Sequence, residues 1–149
     1  MKISTKGRYA LRMLLDLAVH QKDGCVCLKD IAERQGISKK YLEQIVPMLC
    51  KANILLTSRG FQGGYRLAVS PDQCTVGAVL RVTEGDLAPV ACLVNGAADC
   101  TRSAECITLP VWLGLERVIN EYLDSITLQD ILDGKVKLAE NNGQLITDN

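Results

Sequence analysis

The chain is poor in aromatic residues, has a single histidine and four prolines, and contains no long apolar run. Phe, Trp and Tyr together make up 4% of its 149 residues, so Leu, Ile, Val and Ala must supply most of the packing. No stretch approaches the ~18–20 apolar residues that a membrane-spanning helix needs. Met1-Lys-Ile-Ser-Thr-Lys has no apolar core of a secretory signal behind it. The sequence therefore reads as a soluble, cytoplasmic protein without a membrane partner. An enzyme or a metal-trafficking module built on its cysteines is disfavoured. No pocket-forming glycine loop and no His–Asp pair of the kind an enzyme would use lies near them in sequence.

Cysteine, by contrast, is plentiful: there are seven, an odd number. Without an export signal, metal or redox chemistry is a better reading of that count than disulfides. The apolar fraction of 48% is ample for a core, and the length suits one compact domain or a small domain with an appended segment. The net charge of zero hides an asymmetry. Residues 1–70 carry twelve Lys/Arg against five acids, a balance of +7, and residues 71–149 carry five against twelve, a balance of −7. The first half is built to meet a polyanion.

In chain order, Ser4 and Thr5 are candidate caps for a helix running to about His20, with Ala10, Leu11, Leu14, Leu15 and Ala18 as its inward stripe. Lys6, Arg8 and Arg12 lie near its start, where positive charge opposes the helix dipole; they fit either a nearby phosphate or a solvated face. Cys25-Val26-Cys27 reads as a short extended piece. Its two cysteines are expected on opposite faces and hence to be poor joint ligands. A short helix over 28–35, a turn at Gly36 and a second helix capped by Ser38 form a helix-turn-helix pattern. The second helix offers Ser38, Lys39, Lys40, Tyr41, Glu43 and Gln44. Lys and Tyr suit phosphates, Gln pairs with adenine and Glu accepts from a cytosine amino group. An ordinary helical hairpin with a solvated face is the plainer alternative. Pro47 is expected to kink or interrupt the helix, with Asn53 as its C-cap. Strands at 54–57 and 65–68 flank the glycine-rich tip Ser58-Arg-Gly-Phe-Gln-Gly-Gly64, giving a wing with Arg59 at its base, suited to a narrow minor groove. The fold class is thus mainly α with a small β-hairpin wing: a winged helix-turn-helix plus a long dimerisation helix.

Thr75 caps a helix through Val82. Cys92, Cys100 and Cys106 follow, spaced by seven and then five residues that, Leu93 and Val94 apart, are small, polar or glycine and read as unsuited to a core. A helix from about Leu109 to Asp124 carries Trp112, Leu115, Ile119, Tyr122 and Leu123, extended by Ile126. That stripe has little left to bury against except a second copy, which predicts a homodimer. Thr127-Leu-Gln-Asp130 is a capping box for a short helix to about Leu132. The expected layout is a DNA-binding domain over 1–84, a cysteine loop over 85–107, a dimerisation region over 108–134 and a mobile tail over 135–149. Cys50 and Cys74 read as small buried hydrophobes.

Met1-Lys-Ile-Ser-Thr-Lys-Gly-Arg-Tyr-Ala-Leu, Ile37-Ser-Lys-Lys-Tyr-Leu-Glu-Gln, Arg59-Gly-Phe-Gln-Gly-Gly-Tyr and Thr75-Val-Gly-Ala-Val-Leu-Arg-Val-Thr-Glu-Gly resemble the IscR-type winged-helix regulators, as does the segment 112–132. The resemblance covers residues 1 to about 134. It implies a homodimeric bacterial transcription regulator, here a repressor of iron–sulfur biogenesis or iron genes, that reads a pseudo-palindromic double-stranded DNA operator. Tyr41, Glu43 and Gln44 would lie on its recognition helix and Arg59 on its wing. Cys92, Cys100 and Cys106 match the cluster-binding pattern of the family in place and order, which implies an iron–sulfur cluster, 2Fe–2S favoured over 4Fe–4S. The first spacer is longer than in the best-known cluster members. Leu109 stands where some members place a histidine ligand, and Arg8 where others take a carboxylate from the partner subunit's first helix. Asp99, Glu105, Thr108, Glu43 of the partner subunit, another thiol or a bound small molecule remain as a fourth ligand; His20 is far away in sequence. Three ligands with a weak fourth make a labile cluster suited to sensing. Its gain or loss is expected to shift the loop and the long helix, and so the spacing of the two recognition helices. A nitric-oxide or redox sensor using the same cluster, a cluster-free thiol switch and a zinc site are the alternatives. The spacing lacks the tight C-x₂-C of structural zinc sites.

Overall fold

The computed structural model describes residues 1–22, 24–96 and 100–137. The expected tail beyond Lys137 and the candidate ligand Asp99 lie outside the described residues.

Helix α1 (Thr5–His20) begins at Ser4, whose extended backbone lets its hydroxyl accept from the Gly7 amide. Gly7 is buried against α4 (Val76–Glu84), and a Cβ there would collide with the Glu84 carboxylate. Ala10, Met13, Leu14 and Leu17 recur at helical spacing and are fully buried. Helix α2 (Leu28–Gln35) ends at Gly36, which takes the left-handed conformation at φ 62° and turns Ile37 into the core. The Ser38 hydroxyl accepts from the Tyr41 amide and opens α3 (Lys39–Lys51).

Of the expected kink or interruption at Pro47, the interruption does not occur: α3 runs through it. It lies on the exposed face, where water can serve the carbonyl that loses its partner, while Leu42, Ile45, Val46 and Leu49 anchor the opposite face. Ala52 caps the helix, and Asn53 is the left-handed residue just beyond, at φ 55°.

The wing is an antiparallel pair, β1 (Leu55–Ser58) and β2 (Gly64–Leu67), in register from Leu55↔Leu67 to Ser58↔Gly64. β1 starts one residue later and β2 one residue earlier than the sequence reading, and the Ala68 amide still donates to Ile54 O at 2.9 Å just beyond the ladder. The ladder closes at Ser58, so Arg59 opens the tip of the wing and is not at its base. The wing is rooted by an isolated bridge to the segment between α1 and α2. Val26 N–H donates to Tyr65 O at 2.8 Å, and Tyr65 N–H donates back at 2.9 Å. Gly64, at φ 154°, brings β2 against Val26 so closely that a Cβ would strike the Val26 carbonyl.

Thr75 caps α4 through the Ala78 amide, and the chain later returns to this point. Val76 N–H donates to Ile126 O at 2.8 Å and Leu128 N–H to Cys74 O at 2.9 Å, beside the Thr75↔Thr127 bridge. Helix α6 (Leu128–Leu132) opens with the anticipated Thr127/Asp130 capping box. Leu128 is fully buried in the same core as Met13, Ile31 and Leu49. The C-terminal segment is thereby stitched into the DNA-reading half. Helix α5 (Leu109–Asp124) is different: none of its residues is buried. Leu123 and Ile126 pack on a second small core with Val76, Leu80 and Leu87. Val111, Leu115, Val118 and Tyr122, spaced four, three and four residues apart, are left 42–60% exposed.

Candidate metal centre and nucleic-acid interface

Beneath the helix-turn-helix lies one buried charge. Asp16 is 4% exposed and accepts from the Arg34 guanidinium at 2.6, 3.0 and 3.2 Å and from Gln35 Nε2 at 2.9 Å. Burial alone would raise its pKa. The bonds from Arg34 and Gln35, with the charges of Arg34 and His20, outweigh burial and hold the carboxyl below its ordinary range. Arg12 lies over the Tyr9 ring at 5.5 Å and donates to Gln35, tying α1 to the end of α2. Its charge therefore has a structural task beyond meeting solvent or phosphate.

On α3, Ser38, Lys39, Lys40, Glu43 and Gln44 are exposed along one flank. Lys39 Nζ stands 3.4 Å from a Glu43 carboxylate oxygen, a solvent-exposed pair that either member can leave at little cost. Tyr41 is different. Its ring meets Tyr9 edge-on at 5.3 Å and is half-buried against the core, so only its outer edge is free. Arg59 is exposed at the wing tip. Two residues on stands Phe61, the one phenylalanine of the chain, at 106% relative exposure. The sequence reading passed over this residue; an aromatic set between glycines on a hairpin tip was the available signal.

The cysteine loop leaves α4 at Gly85 and makes two 3₁₀ turns, Ala91–Leu93 and Ser103–Glu105. Leu93 alone anchors the first turn in the interior, at 2% exposure. Asn95 and Gly96 both take positive φ, 73° and 93°, bending the backbone immediately after Cys92 and its turn. Exposed Cys92 and half-buried Cys100 line one open cleft of about 460 Å³. Cys106 lines another of about 350 Å³ with Arg102, Glu105, Ile107 and Thr108. The Thr108 hydroxyl lies 3.4 Å from Cys106 Sγ. That hydroxyl and the amides of Thr108 and Leu109, at the start of α5, lower the Cys106 pKa and favour its thiolate. Among the described residues no three His, Cys, Asp or Glu side chains converge at metal-holding distance. The donor chemistry fits an iron–sulfur cluster: three accessible thiols lie on one loop, one of them already biased to the ligating form. Of the candidate fourth ligands, Glu105 and Thr108 share the Cys106 cleft, whereas Glu43 and His20 lie on α3 and at the end of α1.

The other four cysteines divide into two pairs. Cys74 is buried and Cys50 half-buried, and burial pushes both thiols up in pKa. Cys25 and Cys27 do not face opposite ways as expected. Residues i and i+2 of extended chain share a face. Val26 between them is buried, and both cysteines line one cleft of about 510 Å³.

The loop is framed by two cross-linked helices. Arg81 on α4 donates to both Asp124 carboxylate oxygens at 2.7 Å and to Asn120 Oδ1 at 2.6 Å, clamping α5. Three residues on, at the same C-terminal end of α4, the Glu84 carboxylate accepts from the Ser4 hydroxyl at 2.7 Å, at the cap of α1.

Residues 3–134 match the family model Rrf2, described as an iron-dependent transcriptional regulator. The chain belongs to the Rrf2 family. This Rrf2 chain is 38% identical over 148 residues to the HTH-type transcriptional regulator IscR of Aliivibrio salmonicida, spanning 99% of the chain and 83% of that protein. Among solved structures it is similar to T. potens IscR, with 39% identity, a TM-score of 0.70, and coverage of 95% of this chain and 94% of that one. It is also similar to CymR, the global cysteine regulator of B. subtilis, with 37% identity, a TM-score of 0.74, and coverage of 90% and 98%. The Rrf2 protein is thus an IscR-like, winged-helix transcriptional regulator and not an enzyme. Among its described residues no helix is long and apolar enough to cross a membrane.

Proposed function

We propose that this Rrf2 protein is a cytoplasmic, homodimeric repressor that senses an iron–sulfur cluster and controls iron–sulfur biogenesis or iron genes. The observation that carries the proposal is the position of Cys106, three residues before the first residue of α5, with its pKa lowered in the direction of the ligating thiolate. Cys92, Cys100 and Cys106 would hold the cluster, which when bound supplies a redox-labile group whose presence reports iron and oxidant status. The chain's own contacts provide the transmission. Leu109 N–H donates to Cys106 O at 3.2 Å, so moving Cys106 acts on the first turn of α5. The Arg81 clamp carries that motion to α4, and Glu84 carries it to the cap of α1, which packs beneath the recognition helix.

For DNA, Lys39, Lys40 and Ser38 are assigned to phosphates, Glu43 and Gln44 to base edges in the major groove, and Arg59 to the minor groove. Tyr41 braces the helix from behind while its outer edge meets the backbone. The exposed face Val111–Leu115–Val118–Tyr122 pairs two copies and places two recognition helices on a pseudo-palindromic operator. Protein purified without oxygen is expected to be coloured and to carry iron and sulfide. Triple replacement of Cys92, Cys100 and Cys106 by Ser removes both. A colourless, iron-free wild type after anaerobic reconstitution overturns the cluster assignment.

A second reading rests on the same Cys106, whose pKa the Thr108 hydroxyl lowers, and on the likeness to the cysteine regulator: a cluster-free thiol switch. It predicts oxidant-dependent DNA binding in protein that never takes up iron.

A further inference from the structure

We propose that Cys25 and Cys27 form a second site, separate from the loop, that takes a soft two-coordinate cation of the Cu(I) class. The two thiols stand at i and i+2 of an extended segment, on one face, in a cleft shared with His20, Asp30, Arg34 and Gln62. Two residues of extended chain set their Cα atoms about 6.6 Å apart. That lies at the far edge of the range of about 4.4–6.8 Å in which a disulfide closes without strain. With the zinc–sulfur bond of about 2.3 Å as an upper guide, an in-line ion needs the sulfurs no more than about 4.6 Å apart, which side chains rooted at that spacing reach. Zinc wants four ligands, and among the described residues no three His, Cys, Asp or Glu groups converge. Two thiolates suffice for Cu(I), the ion that soft sulfur ligands select. Binding converts two thiols and Cu(I) to a bis-thiolate complex of charge −1, releases two protons to solvent and changes no oxidation state.

The site has a direct mechanical outlet. Val26, between the two ligands, holds the wing through its paired bonds with Tyr65, and Gly64 leaves no slack in that contact. The wing therefore senses any ion that stiffens the Cys25–Cys27 segment. The proposal is independent of the cluster, so it is tested in the full chain with Cys92, Cys100 and Cys106 all changed to Ser. Anaerobic Cu(I) titration against bathocuproine disulfonate is expected to give one copper per chain, with two sulfur neighbours by X-ray absorption. Adding Cys25→Ser or Cys27→Ala, either of which leaves the circular dichroism unchanged, is expected to weaken copper binding at least tenfold. Hydrogen exchange of the Tyr65 amide should slow on loading in the parent and not in these derivatives. Equal copper retention with and without Cys25 and Cys27, a Cys25–Cys27 disulfide formed in place of a copper complex, or unchanged Tyr65 exchange overturns the proposal.

Discussion

At the scale of single residues, the molecule separates side chains that hold the DNA-reading surface in place from those assigned to touch DNA. Asp16 belongs to the first kind. Asp16→Asn keeps the volume but weakens the charge-assisted bonds from Arg34, and is expected to cost about 2 kcal/mol in urea unfolding at neutral pH. Arg34 is one-third exposed, which limits the loss because its charge can turn to water. Since the folded Asp16 pKa lies below its unfolded value, its contribution is complete above about pH 4 and is lost as pH falls through the folded pKa. The gap between wild type and Asp16→Asn should therefore narrow in strongly acidic buffer. Arg59 belongs to the second kind, and exposed Phe61, two residues on at the wing tip, is expected to join it. Arg59→Ala should weaken duplex binding about tenfold and reduce the salt dependence by about one counterion. Phe61→Ala should weaken it with no change in salt slope, because an apolar wing tip meets sugars and base edges and releases no counterions. Neither change should move the melting temperature, since both side chains are exposed.

At the scale of elements, the wing and α5 make separable predictions. Gly64→Ala forces a side chain into the Val26 carbonyl and is expected to break the Val26–Tyr65 bridge. Hydrogen exchange at Tyr65 should accelerate and DNA affinity fall, while α1 to α3 keep their protection. Val118→Glu, on the exposed stripe of α5, should turn a dimer into a monomer in sedimentation without unfolding it, because the site is 56% exposed within one chain. The caps at Ser4, Ser38, Thr75 and Thr127 were legible because a hydroxyl before an apolar periodicity has a local reason to end a loop. The helix through Pro47 was not, since tertiary anchoring by Leu42, Ile45, Val46 and Leu49 overrides a local breaker. The bounds of the two wing strands each differ by one residue from the sequence reading, because backbone pairing and not the apolar pattern sets where the ladder ends: Ser58 pairs with Gly64, a glycine that reads as loop. The α5 stripe was read correctly as apolar but too simply as one face. Leu123 and Ile126 turn to the chain's own second core, and Val111 and Val118 join the outward side. Three thiols on a polar loop were visible in the sequence; the bias of Cys106 toward thiolate was not, because it arises from the Thr108 hydroxyl and the first amides of α5 folding back on the sulfur.

At the scale of the whole molecule, a basic N-terminal half and an acidic C-terminal half form a continuous mechanical chain. The loop bearing Cys92, Cys100 and Cys106 lies between α4 and α5. Those helices are locked by Arg81 with Asp124 and Asn120, and α4 meets the cap of α1 through Glu84. On the proposed function, a ligand on the loop would act through these contacts on the elements that carry the recognition helix, and its loss would release them. The most direct measurement is the affinity of anaerobically reconstituted and of cluster-free protein for one duplex, first selected from a random pool with the reconstituted protein, at fixed salt. The expected result is at least a tenfold difference between the two forms that vanishes in Cys106→Ala. Equal affinity of the two wild-type forms would contradict cluster sensing as the control of DNA binding.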